Sequence, residues 1–313
     1  MSGDWTLDPD TVAALEVPET SDFWDVPGSR RLERLAGDAS LATRREDPAV
    51  RWRDLSFDVA GRSIPIRLYE PVEHPSPRGA VAYFHGGGFV FGNLDNEHDR
   101  LVTWCRDSGA LVMSVDYRRA PENPYPAGVE DCRESVRWML EHADELGIDP
   151  NRWCVGGASA GGALAAAVAQ WARDHVSPPP VAQILLYPVL DDRATEGSTR
   201  TYFEGLGWDG RRVEKMWELY LQGTPADPGA APAREEYLAG LAPAYVLVCE
   251  HDPLRDEALD YARRLSDSGV EVELHVLPRA YHAVDVIAPE SVLARRAMRE
   301  QGDVLRHYVG PRR

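Results

Sequence analysis

The sequence predicts an α/β fold whose core is a mostly parallel, eight-stranded sheet flanked by helices, with a helical cap. Two observations carry this prediction. Short apolar runs typical of strands alternate with helix-length segments through most of the chain, which is the pattern of a parallel sheet with crossover helices. Two aromatic-rich segments interrupt that alternation and therefore belong outside the sheet. The 313 residues are enough to bury one large core.

The predicted strands and helices follow one another in a regular order. The strand-like runs are Ser56–Ala60, Ile64–Tyr69, Ala80–Phe84, Ala110–Asp116, Trp153–Gly157, Val181–Tyr187, Tyr245–Glu250 and Glu271–Leu277. Only a short turn around Gly61 separates the first two runs, so they should pair as an antiparallel hairpin, whereas helices between most later runs predict parallel strands. The helix candidates are Glu97–Ser108, Ala127–Leu146, Ala160–His175, Leu254–Ser268 and Pro289–Tyr308.

The cap is predicted to comprise residues 1–50 and an insertion after the sixth strand, residues 192–236. The core unit would then be residues 51–191 and 237–313. The aromatic residues of the two cap segments include Trp5, Phe23, Trp24, Tyr202, Phe203, Trp208, Trp217 and Tyr220. Any one of them would be explained by packing onto the core, but as a group they predict an apolar pocket with little water.

Composition excludes several classes of partner. A net charge of −17 and an isoelectric point near 5.0 argue against binding to nucleic acid. The four cysteines lack metal-type spacing, and Cys154 and Cys249 lie in apolar runs, so buried reduced thiols are expected. The first residues lack a basic and apolar leader, and no run reaches the roughly 18 apolar residues of a membrane span. We therefore expect a cytoplasmic protein without a membrane partner, metal or cofactor.

A candidate nucleophile lies in the segment Gly157-Ala158-Ser159-Ala160-Gly161, between a strand-like run and an alanine-rich helix. This G-x-S-x-G pattern predicts a nucleophile elbow, in which a serine occupies a strained turn and small neighbours let the backbone pass closely. The pattern alone is weak evidence in a chain rich in glycine and alanine. A second motif also follows an apolar run, His85-Gly86-Gly87-Gly88-Phe89, and its presence strengthens the assignment of Ser159 as a nucleophile.

A serine hydroxyl needs an imidazole as base, and the imidazole needs a carboxylate to orient it. Asp252 follows the predicted strand Tyr245–Glu250, and His282 follows the predicted strand Glu271–Leu277. Both lie after late strands, as this chemistry requires when the serine comes first in the chain. The alternatives lie inside strands or a helix, or point elsewhere; they are Glu250, Asp256, His251 and His275.

Five motifs together resemble the hormone-sensitive-lipase family of α/β-hydrolases, which includes the bacterial family IV esterases and lipases. They are His85–Phe89, Asp116–Glu122, Gly157–Gly162, Asp252–Glu257 and His282, and the resemblance spans about residues 55 to 310. It implies a carboxylester hydrolase with Ser159 as nucleophile, His282 as base and Asp252 as the orienting acid. The oxyanion hole would use the backbone N–H groups of Gly86, Gly87 and Ala160.

The resemblance also assigns supporting roles. His85 is expected to brace the glycine loop without reacting, and Arg118 and Glu122 are expected to be partners in a polar network beneath it. Residues expected in the substrate pocket are Phe89, Trp208 and Val284.

The chain departs from the family pattern at two places. Ala158 stands where Asp or Thr is common, and Ala283-Val284 stands where Gly-Phe is common. Neither change removes a catalytic atom, but both are expected to affect the shape of the accepted substrate or the outcome of the reaction. The expected substrate is a small to medium ester with a short acyl chain, because the cap aromatics should fill much of the acyl pocket.

Two other functions remain open. The same acyl-enzyme could pass its acyl group to another nucleophile, as in an acyltransferase or a lactone-forming or other biosynthetic enzyme. A pure ligand-binding protein on this fold is disfavoured because His282 is present. A homodimer is expected, since the family often dimerises and the last strand, Glu271–Leu277, would be an exposed edge.

Overall fold

The predicted eight-stranded sheet is present in a computed structural model, which describes residues 6–16, 21–43, 46–73, 76–193, 197–205 and 207–311. The strands are β1 Val50–Val59, β2 Arg62–Pro71, β3 Arg78–Phe84, β4 Leu111–Val115, β5 Ile148–Ala158, β6 Ala182–Leu186, β7 Ala244–His251 and β8 Val272–Tyr281. Their order across the sheet is β1-β2-β4-β3-β5-β6-β7-β8.

The strand directions agree with the sequence prediction. β1 and β2 form an antiparallel hairpin, β2 is also antiparallel to β4, and the neighbours from β4 to β8 are parallel. The carboxyl ends of β3, β5, β7 and β8 therefore meet at one edge of the sheet, and the loop residues that follow them converge there. In open α/β sheets this is the edge at which ligands bind.

Helices cover both faces of the sheet. They are α1 Pro9–Val12, α2 Val26–Thr43, α3 His98–Ser108, α4 Ala127–Glu141, α5 Ala143–Leu146, α6 Ala160–His175, α7 Ser198–Thr201, α8 Gly210–Leu221, α9 Arg255–Asp267, α10 Val284–Ile287 and α11 Val292–Val309. α3 and α11 pack on one face, and α4, α6 and α9 pack on the other. None of these described helices is long and apolar enough to cross a membrane.

Two layers of core result from this arrangement. Neighbouring strand residues point to opposite faces, so Val81 joins the layer under α3 and α11 while Ala82 joins the layer under α4 and α6. Because both faces are covered, the central strands read as continuous apolar runs. The four cysteines lie in these layers as free, buried thiols.

Some predicted boundaries were wrong. β1 begins at Val50, not at the predicted Ser56. Its first residues are mostly exposed and show no apolar alternation, so the sequence pattern did not reveal them; hydrogen bonding to β2 makes them part of the strand. The helix predicted over Ala127–Leu146 is interrupted at His142, whose Nδ1 lies 2.9 Å from the Trp138 carbonyl oxygen. β8 is the edge strand, as expected, but the homodimer stays a prediction.

Both predicted cap segments contain helices. α1 and α2 lie in the first segment, and α7 and α8 lie in the second; Trp5 is outside the described residues. Phe23 of the first segment contacts Trp208 of the second, with ring centroids 5.5 Å apart. Arg30 on α2 forms an ion pair with Glu122 at 2.8 Å and donates to the Val90 carbonyl oxygen. The two segments therefore meet beside the glycine loop.

Candidate active site

Ser159 occupies the sharp turn between β5 and α6. Its backbone is strained, with φ 56° and ψ −119°, and the residue is buried, with 7% of its surface exposed. The flanking glycines are required by space: a Cβ at Gly157 would lie 2.1 Å from the Gly161 carbonyl oxygen, and one at Gly161 would lie 1.9 Å from that of Phe84. This is the local geometry of a nucleophile elbow.

The structure brings Ser159, His282 and Asp252 into one hydrogen-bonded line. His282 Nδ1 is 2.7 Å from Asp252 Oδ2, and His282 Nε2 is 3.0 Å from Ser159 Oγ. The other oxygen of the buried Asp252 accepts a hydrogen bond from the Leu254 N–H at 2.9 Å. A carboxylate only accepts, so Nδ1 carries the imidazole proton and Nε2 is left to accept from the serine hydroxyl.

The alternative acids and bases considered from the sequence lie outside this line. Each has another contact: Glu250 with the Arg279 N–H, Asp256 with the Ser198 N–H, His251 with Tyr202 and His275 with Glu273. None of these contacts involves Ser159.

The glycine loop after β3 differs from the expectation in one respect. The N–H of Gly86 donates to Glu97 Oε1 at 2.9 Å, so it is not free to bind an oxyanion. Gly87 and Gly88 have φ of 112° and 59° and line the same cavity, and none of the described hydrogen bonds uses their N–H groups. Gly88 was missed by sequence reasoning, although the third glycine of the motif was the available signal.

His85 braces this loop. Its ring stacks on Tyr117 with centroids 4.3 Å apart, and Nδ1 lies 2.7 Å from the Gly86 carbonyl oxygen. Burial lowers the pKa of His85, which favours a neutral imidazole that donates through Nδ1. Tyr117 also supports the loop, since its hydroxyl donates to the His85 carbonyl oxygen at 2.8 Å.

Arg118 and Glu122, which were expected in one polar network, belong to separate ion pairs. Arg118 forms its ion pair with the buried Asp131 at 2.8 Å, while Glu122 faces Arg30 of the first cap segment. The motif therefore connects two other parts of the chain: Arg118 pairs with α4, and Glu122 pairs with α2 of the first cap segment.

A cavity of about 670 Å³ opens above Ser159 and His282. Of the three residues expected in it, Trp208 is present, and its ring stacks on that of His282 at 5.5 Å. The other two do not line it.

Phe89 and Val284 are buried in the protein core. Phe89 has a positive φ of 61° and stacks on Tyr220 at 3.8 Å, so its side chain turns away from the cavity. Val284 is 0% exposed and belongs to the core layer under α3 and α11. The neighbouring apolar residues take their places in the cavity wall: Phe91, Val286 and Ile287.

Comparison with known proteins agrees with the fold. The family model described as the alpha/beta hydrolase fold matches residues 81–286, which is most of the chain. The chain belongs to the α/β-hydrolase family. The resemblance to its hormone-sensitive-lipase group is thereby confirmed.

Relatives of this α/β-hydrolase carry esterase names. Esterase LipI of Mycobacterium tuberculosis is 40% identical over 248 residues, 73% of this chain and 73% of LipI. Ethyl acetate hydrolase of Pseudomonas putida is 38% identical over 253 residues, 78% of each chain. The crystal structure of esterase LipW from Mycobacterium marinum matches with a TM-score of 0.91 and 38% identity, over 97% of this chain and 96% of LipW.

Proposed function

We propose that this α/β-hydrolase is a serine carboxylester hydrolase that uses Ser159, His282 and Asp252 as its catalytic triad. The observation that carries the proposal is the line of hydrogen bonds, 3.0 and 2.7 Å long, that joins these side chains at the wall of the cavity. The esterase and ester hydrolase names of the relatives support the same reaction.

In the first half of the reaction, Ser159 Oγ attacks the carbonyl carbon of the ester while its proton passes to Nε2 of His282. The negatively charged Asp252 stabilises the imidazolium that forms. The tetrahedral intermediate then collapses: the bond to the leaving oxygen breaks, and the imidazolium returns its proton to that oxygen. The products of this step are an alcohol and an acyl group bonded to Ser159.

We assign the oxyanion hole to the N–H groups of Gly87, Gly88 and Ala160. This differs from the sequence-based set by exchanging Gly86 for Gly88, because Gly86 already donates to Glu97. Ala160 is the first residue of α6, so its N–H is one of those a helix leaves unpaired. Donors fixed in place before the reaction stabilise the developing negative charge without having to reorient.

In the second half, His282 accepts a proton from water, and the hydroxide attacks the acyl carbon. The bond to Ser159 Oγ breaks, the serine regains its proton and the carboxylic acid leaves. A cavity of about 670 Å³ is in the range of small-molecule pockets, which supports small to medium esters. The aromatic rings of Phe23 and Trp208 restrict the space above His282, which supports short acyl chains.

The test is hydrolysis of p-nitrophenyl acetate, butyrate, octanoate and palmitate by the wild type and by Ser159→Ala. We expect the highest kcat/KM on acetate or butyrate, and a loss of about 10⁴-fold or more in the variant. The matched control is Ser266→Ala, which removes an exposed hydroxyl from α9 and should retain full activity.

Three outcomes would contradict parts of the proposal. Retained activity in Ser159→Ala, or failure of a fluorophosphonate to label Ser159, would remove the nucleophile assignment. Best turnover on palmitate emulsions would overturn the short-chain preference. Adding an alcohol to the assay separates hydrolysis from acyl transfer, because a hydrolase should continue to release mainly free acid.

A further inference from the structure

A buried polar network lies beneath the glycine loop, outside the triad. It begins at Glu97, directly before α3, whose side chain is 8% exposed. Glu97 Oε1 accepts from the Gly86 N–H at 2.9 Å, and Oε2 accepts from the hydroxyl of Tyr83 on β3. The Glu97 carboxylate therefore contacts both the end of β3 and the first glycine of the loop.

Arg100, one turn along α3, continues the network. Its side chain is 2% exposed, and its Nε lies 2.9 Å from Glu97 Oε2 in an ion pair outside hydrogen-bond geometry. Its Nη1 donates to Asp285 Oδ2 at 2.9 Å, and its Nη2 donates to the Tyr187 hydroxyl at 2.8 Å. The Arg100 guanidinium thus contacts two carboxylates through different nitrogens: Glu97, directly before α3, and Asp285, near the other end of the chain.

Asp285 connects the network to the surroundings of His282, the proposed general base. It lies on α10, which begins two residues after His282, and its side chain is fully buried. Tyr187 donates to Asp285 Oδ1 at 2.9 Å, and the Tyr187 ring packs edge-on against His282 with centroids 4.9 Å apart. Burial alone would raise the pKa of Asp285, but the Arg100 guanidinium holds it below its usual range.

We propose that Glu97, Arg100 and Asp285 form a charged bridge that holds the glycine loop and the His282 turn in register with each other. In this bridge, Glu97 is a positioning residue for the oxyanion hole. It accepts the Gly86 N–H, which fixes the peptide plane between His85 and Gly86 and thereby orients the N–H groups that follow, those of Gly87 and Gly88, toward the substrate. The inference rests on the proposed hydrolase function and adds residues that no sequence motif identified.

The physical case depends on burial. A fully buried charge is tolerated only where partners compensate it, so each member of the bridge depends on the next. Glutamine at position 97 has one acceptor oxygen where glutamate has two. It cannot accept from Gly86 while also presenting an oxygen to Arg100, so either the loop loses its anchor or an amide N–H group faces the guanidinium. In both cases Asp285 is the charge partner that Arg100 retains within the bridge.

The first experiment compares Glu97→Gln with Asp99→Asn, which changes an exposed carboxyl two residues further on, in the first turn of α3. With p-nitrophenyl butyrate, kcat of Glu97→Gln should fall about 10–100-fold while KM changes by less than about threefold, because the oxyanion exists only after attack. The inhibition constant of a trifluoromethyl ketone, whose serine adduct carries an oxyanion, should rise in the same proportion as kcat falls. Asp99→Asn should match the wild type.

Titration with a fluorophosphonate separates positioning from damage to the fold. If Glu97→Gln has fewer titratable sites but wild-type kcat for each remaining site, the residue is merely structural and the proposal fails. It also fails if kcat stays close to that of Asp99→Asn, or if only KM rises. Activity retained in Ser159→Ala would instead overturn the proposed hydrolase function, so the two failures are distinguishable.

A double-mutant cycle tests the bridge as a unit. If Arg100 couples the two carboxylates, the variant carrying both Glu97→Gln and Asp285→Asn should lose about as much kcat as the more impaired single variant. If the two residues act separately, the two losses should multiply. Multiplied losses would overturn the bridge.

Discussion

On the core side of the cavity, hydrogen bonds of 2.7 and 3.0 Å fix the side chains of the proposed triad, Ser159, His282 and Asp252. On the cap side, Phe23 and Trp208 meet through ring contacts with centroids 5.5 Å apart. The first kind of contact is directional, and it fails when one atom is exchanged. The second kind depends on shape, and it tolerates replacement by another ring.

This difference predicts how the two sides contribute to catalysis. Groups on the core side interact with charge that develops during the reaction, so their loss should lower kcat. In the proposed mechanism, rings on the cap side contact the substrate in the ground state as well as in the transition state and exclude water. Their loss should alter KM and the preferred acyl chain, with a smaller effect on kcat.

The largest expected effect on the core side is that of Asp252→Asn. An asparagine amide presents a donor to Nδ1 of His282, so the imidazole adopts the tautomer whose proton is on Nε2. The neutral amide also cannot stabilise the positive charge of the imidazolium. We expect kcat on p-nitrophenyl butyrate to fall about 10⁴-fold with little change in KM. Steady-state kinetics at pH 7 to 8 provides the measurement.

The matched control for this substitution is Asp260→Asn on α9, where the carboxylate is 54% exposed and pairs with Arg263. Its activity should equal that of the wild type, because the ion pair is at the surface. An Asp252→Asn variant that kept a tenth of the activity would show that His282 is oriented by something else, and the contrast between the two sides would weaken.

A smaller effect is expected where the two sides touch, at Gly88. A Cβ there would lie 2.5 Å from Cζ of Phe23, and the backbone has φ of 59°. Gly88→Ala should therefore displace the ring and shift the loop, lowering kcat about 10–100-fold and stability by about 1 kcal/mol. Kinetics and thermal denaturation measure the two losses.

Gly86→Ala is the natural comparison for that variant, because the nearest atom to its Cβ is the Ala158 carbonyl oxygen at 3.2 Å and its φ is not positive. It should be less impaired in both kcat and stability. If Gly86→Ala were the more damaging of the two, the exchange of Gly86 for Gly88 in the oxyanion hole would be wrong.

The core side was largely predictable from the sequence, for a physical reason. Ser159, Asp252 and His282 each follow a parallel strand, and parallel strands end at one edge, so local patterns were enough to bring distant residues together. The hairpin and the order of helices followed from periodicity in the same way. Exposed parts of the sheet, such as the start of β1, carry no such pattern and were missed.

What the sequence could not predict depends on contacts between elements. Whether the Gly86 N–H is free is decided by Glu97, and nothing in a glycine motif reveals that partner. The direction of the Phe89 side chain follows from a positive φ that is invisible in an apolar pattern. Glu97 and Arg100 look like the solvated face of a helix in sequence, although both side chains are buried.

The smallest effect on activity is expected on the cap side, at Trp208. Its ring stacks on His282 with an interplanar angle of 28° and also contacts Phe23, so Trp208→Ala should open space above the acyl position. We expect kcat/KM on the acetate ester to fall about tenfold or less and the optimum to shift toward longer acyl chains. Trp208→Phe keeps a ring and should retain the wild-type chain-length profile. A loss of kcat in Trp208→Ala as large as that in Asp252→Asn would mean that the cap takes part in the chemistry, and the division between a directional core side and a shape-dependent cap side would fail.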